Sequence, residues 1–337
     1  MSICSHTDHV IAAHPPRESR LELMTRAAVL YYMEYATQAE VAERLGISRV
    51  TAGRLIRQAR EDGIVEITVH APAAMTDRLE TQIAARFGLR HVLLGPDHAD
   101  EDIRRELVAQ RVGEYLLRYL RDGMTVAVGM GRNVGAVAGA IRSAPGRDCT
   151  FVTAIGGSPS ATRSVDAGEA CRNFAERFGG RAACLYAPAY AESGEVRRAF
   201  LEHDDVRSTL AKAASADVAV VGIGDAEDGS AVVRMGCFSA QDMKRMRAAG
   251  AAGDILGSFF DIEGRPVATG MCDRVISIGA DDVRAIPCVV GVASDAGKAR
   301  AILGALRSGM LNVLATSVAN GRALLSLDHT TGGRNDG

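Results

Sequence analysis

Seven short apolar runs constrain this chain most: HVLLG (91–95), MTVAVG (124–129), TFVTAIGG (150–157), AACLYAP (182–188), DVAVVGIG (217–224), CVVGVA (288–293) and LNVLAT (311–316). Each is rich in Val, Ile or Leu, and most end in Gly, Ala or a polar residue. Stretches of helical patterning fill the gaps at 102–121, 133–142, 169–178, 206–214 and 298–307. Strands alternating with helices predict a parallel sheet covered on both faces, a Rossmann-like α/β domain. It is expected over residues 76–328, with a flexible tail at 329–337.

A length of 337 residues leaves room for a second, smaller domain. No apolar run approaches the ~18 residues of a membrane span, and the N-terminus lacks the basic start and apolar core of a signal peptide. The seven cysteines are scattered, odd in number and form no CxxC, which fits a reduced, cytoplasmic chain without a membrane partner. Cys4, His6, His9 and His14 fall in an expected flexible tail (1–19), so no metal site is assigned there, and no cofactor is expected.

Residues 20–72 read as a helix-turn-helix DNA-binding domain. In 22–36, Leu23, Ala27, Leu30 and Tyr31 fall at helical spacing. Thr37 and Glu40 form a capping box for a second helix that ends at Gly46, a glycine suited to a left-handed turn. Ser48 then caps a third helix from Arg49 to about Glu61. Val41, Leu45, Ile47, Ala52 and Leu55 would be buried, leaving Ser48, Arg49, Val50, Thr51, Gly53, Arg54 and Arg57 for the major groove. Net charge is only −2, yet 48–60 holds four arginines and no acid, a local basic face suited to phosphate. GIVEITVH (63–70) alternates like a hairpin or wing. The plain alternative is a helical hairpin with a solvated basic face.

In a parallel α/β sheet, ligands sit beyond the carboxyl ends of the strands, where helix N-termini hold anions. VAVGMGRNVGAVAGAI (126–141) offers a glycine turn with Gly131, Arg132 and Asn133 at a helix start, and AIGGSPSA (154–161) offers Gly156 and Gly157. Asp225 follows one strand, Asp254 lies between a glycine pair and an apolar segment, and Lys298 stands near the start of a helix. Together these polar groups suit a sugar or sugar phosphate, whose hydroxyls donate to carboxylates while cations hold the anion. Singly, each is as readily a cap or a surface charge; Asp254, for one, would cap a helix over ILGSFF.

TQAEVAERLGISRVTAGRLIRQAREDGIVEITV, VAVGMGRNVGAVA, AIGG, LYAPAYAES, ADVAVVGIGD, GAAGDILGSFFDIEGRPV and KARAILGALRSGMLNVLAT resemble, in this order, the SorC (SorC/DeoR) sugar-binding transcriptional regulators over about residues 22–327. The resemblance implies an effector domain related to glucosamine-6-phosphate deaminase and ribose-5-phosphate isomerase. It also implies phosphorylated sugar or polyol effectors, operator DNA as partner, and a homodimer or homotetramer. By position, Gly131, Arg132 and Asn133 match the phosphate-side loop, and Gly156 and Gly157 the second loop. Asp254 matches the acidic hydroxyl contact, Lys298 the basic contact, and Asp166 a further effector contact.

Three positions depart from the family pattern. Its Gly-Gly before the lysine is here Ser294-Asp295-Ala296-Gly297, its Thr-Asp near the C-terminus is Thr316-Ser317, and its two hydroxyl residues in the first loop are Arg132-Asn133. An extra acid near Lys298 weakens the case for a phosphate and admits an unphosphorylated ligand. The expected function is a bacterial, effector-controlled regulator of carbohydrate or polyol catabolism. A sugar-phosphate isomerase or deaminase is the rival class; Asp225 and Asp254 are its candidate acid and base, but no histidine accompanies them. No catalytic residue is therefore assigned. A third reading is an effector-independent DNA-binding protein whose second domain only oligomerises.

Overall fold

The computed structural model of the chain describes residues 20–65, 67, 76–141, 146–158 and 166–332. It divides into two compact units, residues 1–70 and 71–337. The expected tail at 1–19, and positions 66 and 68–70 of the expected wing, lie outside the described residues.

In the first unit, α1 (Arg20–Ala28) passes into a π-helical turn (Val29–Met33), followed by α2 (Gln38–Leu45) and α3 (Arg49–Glu61). The single helix expected over 22–36 is thus interrupted. The wider turn leaves Leu30, Tyr31 and Tyr32 all half-buried against the core, with the two tyrosine rings edge to face at 4.9 Å. Thr37 and Glu40 form the capping box, and Gly46 ends α2 at φ 64°. Val41, Ala42, Ala52, Leu55, Ile56 and Ala59 are buried, so the small alanines let α2 and α3 cross closely.

The second unit begins with α4 (Asp77–Phe87), β1 (His91–Gly95), α5 (Glu101–Tyr119), β2 (Thr125–Val128), α6 (Arg132–Ala140), β3 (Thr150–Thr153), α7 (Ala167–Phe178) and β4 (Arg181–Ala183). Next come α8 (Gly194–Glu202), α9 (Asp204–Ala214), β5 (Val218–Gly222), β6 (Gly224–Asp225), α10 (Ala231–Arg234), α11 (Ala240–Ala248), β7 (Gly253–Ile255) and β8 (Ser258–Phe260). The unit closes with α12 (Ala280–Ala285), β9 (Cys288–Ala293), α13 (Ala299–Arg307), β10 (Val313–Ser317) and α14 (Val318–Gly332). Helix α14 runs past the boundary expected at 328: the Asp328 carboxylate is bound by Arg86 and Arg307, which pins the helix near the point where a tail was expected.

Each of the seven apolar runs contributes one strand to a parallel sheet of order β1-β10-β9-β5-β2-β3-β4. Its strands are apolar on both sides because both faces are covered. Val126, Val128, Val218, Val220, Val290 and Val292 pack toward α5, α6 and α7. The alternate residues Ala127, Ala219, Val221, Val289 and Ala293 join the core of α4, α9, α13 and α14. Helix α6, which follows β2, and α13, which follows β9, lie on opposite faces. The crevice between such crossovers, at the strand ends, is where open sheets of this class bind ligands.

Beyond β5 the chain forms a small antiparallel sheet, β6-β7-β8. The sequence reading did not anticipate it. ILGSFF is a hairpin rather than a helix: Leu256 and Gly257 turn it with φ of 52° and 76°, the paired positive φ values of a type I′ turn. Asp254 therefore lies in β7, opposite Gly224, and caps no helix.

Candidate functional site

The face of α3 left uncovered by the first unit carries Arg49, Val50, Arg54 and Arg57, all exposed, with Val50 84% accessible. Ser48 caps the helix, accepting from the Thr51 N–H at 3.1 Å and sharing a hydroxyl contact with Thr51 at 2.8 Å. An exposed valine among cations is the surface a groove with apolar methyl edges would cover. Gly53 is half-buried; a side chain there would point at the Gln38 carboxamide, 3.2 Å away, so the glycine also eases the approach of α2.

In the second unit, a cavity of about 210 Å³ lies beyond the carboxyl ends of β2, β5 and β9. It gathers Gly131, Arg132, Asn133, Asp225, Asp254 and Lys298 from loops far apart in sequence. Gly131 takes φ 111° to end the β2 turn and start α6. The Lys298 ammonium meets Asp225 at 2.6 Å and donates to the Ile223 carbonyl at 3.2 Å. Asp254 is buried, and its Oδ2 accepts from the Gly257 N–H at 3.0 Å. Gly224 makes room for the other oxygen, since a Cβ there would collide with it. Burial pushes the Asp254 carboxyl up to about 6; the Gly257 N–H and Lys298 offset part of that rise, and Asp225 adds to it.

Asp295 is the main addition to the expected site. Its carboxylate faces Arg132 at 3.3 Å, Asn133 at 3.4 Å and Arg105 at 3.3 Å. Burial works to raise this carboxyl, but Lys298, Arg132 and Arg105 outweigh it and hold it below the usual carboxylate range. Asn133 is fixed in turn, accepting from the Ser294 hydroxyl at 2.5 Å. The β9–α13 loop and the start of α6 are thereby tied together.

Gly156, Gly157 and Asp166 are not brought to this cavity. Gly156 packs flat on the carbonyls of Ala187 and Pro188, with no space for a side chain. Gly157 and Asp166 line a separate depression with Arg172 and Cys184, and Asp166 caps α7 by accepting from the Glu169 N–H at 2.9 Å. The sequence reading missed Arg105 and Tyr190. Arg105 looks like any helix-surface arginine, and only its position on the inner side of α5 buries it. Tyr190 lines the cavity from LYAPAYAES, where nothing in the local pattern distinguishes it from Tyr186.

Residues 72–326 match the Sugar-bind family, described as "Putative sugar-binding domain". The chain is 30% identical over 313 residues to the transcriptional regulator LsrR of Klebsiella pneumoniae subsp. pneumoniae, covering 91% of this chain and 93% of that protein. Among solved structures it is similar to the full-length sorbitol operon regulator SorC from Klebsiella pneumoniae, at 28% identity and TM-score 0.71, covering 90% and 98% of the two chains. The sugar-binding domain of a transcriptional repressor from Vibrio fischeri is 41% identical with TM-score 0.70, covering 75% of this chain and 99% of that one.

Proposed function

The chain belongs to the Sugar-bind family, and on that premise we propose that it is a transcriptional regulator of carbohydrate or polyol catabolism whose hold on operator DNA is set by a small polyhydroxylated effector. One observation carries the reading: side chains from separate loops of a parallel sheet converge on one cavity, in a chain whose other unit presents a basic helix face. Its similarity to LsrR and SorC supports the same role. In this reading α3 enters the major groove, with residues 63–70 as its wing, and a cytoplasmic homodimer or homotetramer supplies paired copies to repeated half-sites. The effector domain, over about 76–328, is related to the sugar-phosphate deaminases and isomerases.

Chemically, the cavity suits hydroxyls. Asp254 and Asp225 accept from them, while Lys298 and Arg132 donate to their oxygens. An effector that binds one arrangement of the protein better than another shifts the balance between them, and about 5.5 kcal/mol of difference takes it from 1:99 to 99:1. The test is operator binding by the purified chain, with and without sugars or polyols that raise its melting temperature. A ligand that stabilises the protein should change operator affinity, and one that leaves it untouched would overturn the proposal. Asp254, poised near 6 beside a lysine-bound carboxylate, favours one second reading, an isomerase or deaminase. Turnover of ribose 5-phosphate or glucosamine 6-phosphate would establish it.

A further inference from the structure

The cations of the cavity are already engaged by the protein's own groups. Arg132, on the glycine turn, faces Asp295 at 3.3 Å, and Asn133 and Arg105 reach the same carboxylate. Lys298 is held by Asp225 and by the Ile223 carbonyl. Arg234, at the rim, is bonded to the Gly229 carbonyl. Against these three bases the lining carries four acids, since Glu101 and the buried Asp254 join Asp225 and Asp295.

We infer that the Asp295 carboxylate occupies the place of a ligand's anionic group, so that the cavity takes an uncharged polyol or free sugar and rejects the phosphate ester. This rests on the cavity being the effector site. A phosphoryl group at the start of α6 needs the donors that Asp295 already uses, and it would sit beside a carboxylate held in its charged form. Like charges brought together without a counter-ion are strongly disfavoured. Hydroxyls meet no such barrier: they donate to Asp254 and accept from Lys298. Tyr190 and Leu256 supply apolar surface for the C–H face of a carbon chain. The volume, about 210 Å³, is below the roughly 300–1,000 Å³ of sites for drug-sized ligands and suits a short polyol.

Calorimetric titration of the intact 337-residue chain decides the matter. The panel is alditols and free sugars from tetroses to hexoses, each paired with its monophosphate, together with inorganic phosphate and amino sugars. A free polyol or sugar should bind, its ester should bind at least about tenfold more weakly, and inorganic phosphate should not compete. In Asp295→Asn that gap should close by about tenfold, with inorganic phosphate becoming a competitor; a purely structural role for Asp295 would weaken all ligands alike. If that variant does not fold, the wild-type ratio of ester to parent decides alone. An ester or an amino sugar binding more tightly than its neutral parent would overturn the inference and leave the regulatory reading standing. If no member of the panel binds, both fall.

Discussion

The outward face of α3 and the wall of the cavity both rely on basic side chains, but they treat charge in opposite ways. Among the described residues, none pairs Arg49, Arg54 or Arg57. In the cavity, Lys298 is almost fully buried and ion-paired, and Arg132 faces an internal carboxylate. Unpaired surface arginines attract a polyanion at long range and lose that attraction as salt rises. A cavity whose cations are already engaged by its own groups gains little from distance and discriminates by hydrogen-bond fit. On the proposed function, attachment and sensing use the same residue types under different dielectric conditions.

The sharpest way to break this contrast is Lys298→Ala. Removing one member of a buried pair costs about 3–5 kcal/mol, and the part-exposed Asp225 places the loss near the lower end, about 3 kcal/mol. Denaturant unfolding should register it in the second unit together with loss of effector binding, while effector-free operator affinity holds. Equal loss of both functions would erase the division of labour.

Asp254→Asn comes next, with the opposite sign. The folded-state pKa, about 6, lies above the ordinary 3.8, so the folded chain holds this proton more tightly than the unfolded chain. Its stabilising contribution is present below about pH 4 and is lost as pH rises through 6. At about 1.4 kcal/mol per pH unit, the loss reaches ~3 kcal/mol at neutral pH. Asp254→Asn should recover up to that amount above pH 7 and nothing below pH ~4, while weakening effector binding. Unfolding curves at several pH values check the sign.

Arg54→Ala addresses the other side of the comparison. Operator affinity should fall by about 1–3 kcal/mol if Arg54 reads a base edge; if it contacts phosphate, the salt slope should drop by about one. Effector titration should be unchanged. The smallest effect is expected from Ser48→Ala, which removes the α3 cap and should cost about 1 kcal/mol in the first unit alone.

The main sheet was legible in the sequence because strands buried on both faces read as unbroken apolar runs. The caps were legible because Thr37, Gly46 and Ser48 act on residues within a few positions of themselves. The 253–260 hairpin was not, since ILGSFF suits a helix equally well and a leucine at positive φ has no local signature. For the site, strand-end polar residues pointed to Asp225, Asp254 and Lys298. The Arg105–Asp295 contact joins residues 190 positions apart, and no local pattern encodes such a meeting. Asp166, expected as an effector contact, lies outside this cavity and caps α7 by accepting from the Glu169 N–H.

Leu256 stands in a backbone conformation that few side chains other than glycine and asparagine adopt readily. Its carbonyl accepts from the Ser277 hydroxyl at 2.8 Å, which holds the turn in place, and its side chain closes the cavity beside Asp254. A glycine at 256 would relax the chain but remove the side chain that lines the cavity beside Asp254. The leucine, itself buried, gives that wall an apolar surface, beside which a hydrogen bond to a hydroxyl is worth more than in water. At this turn, backbone comfort is exchanged for a low-dielectric floor.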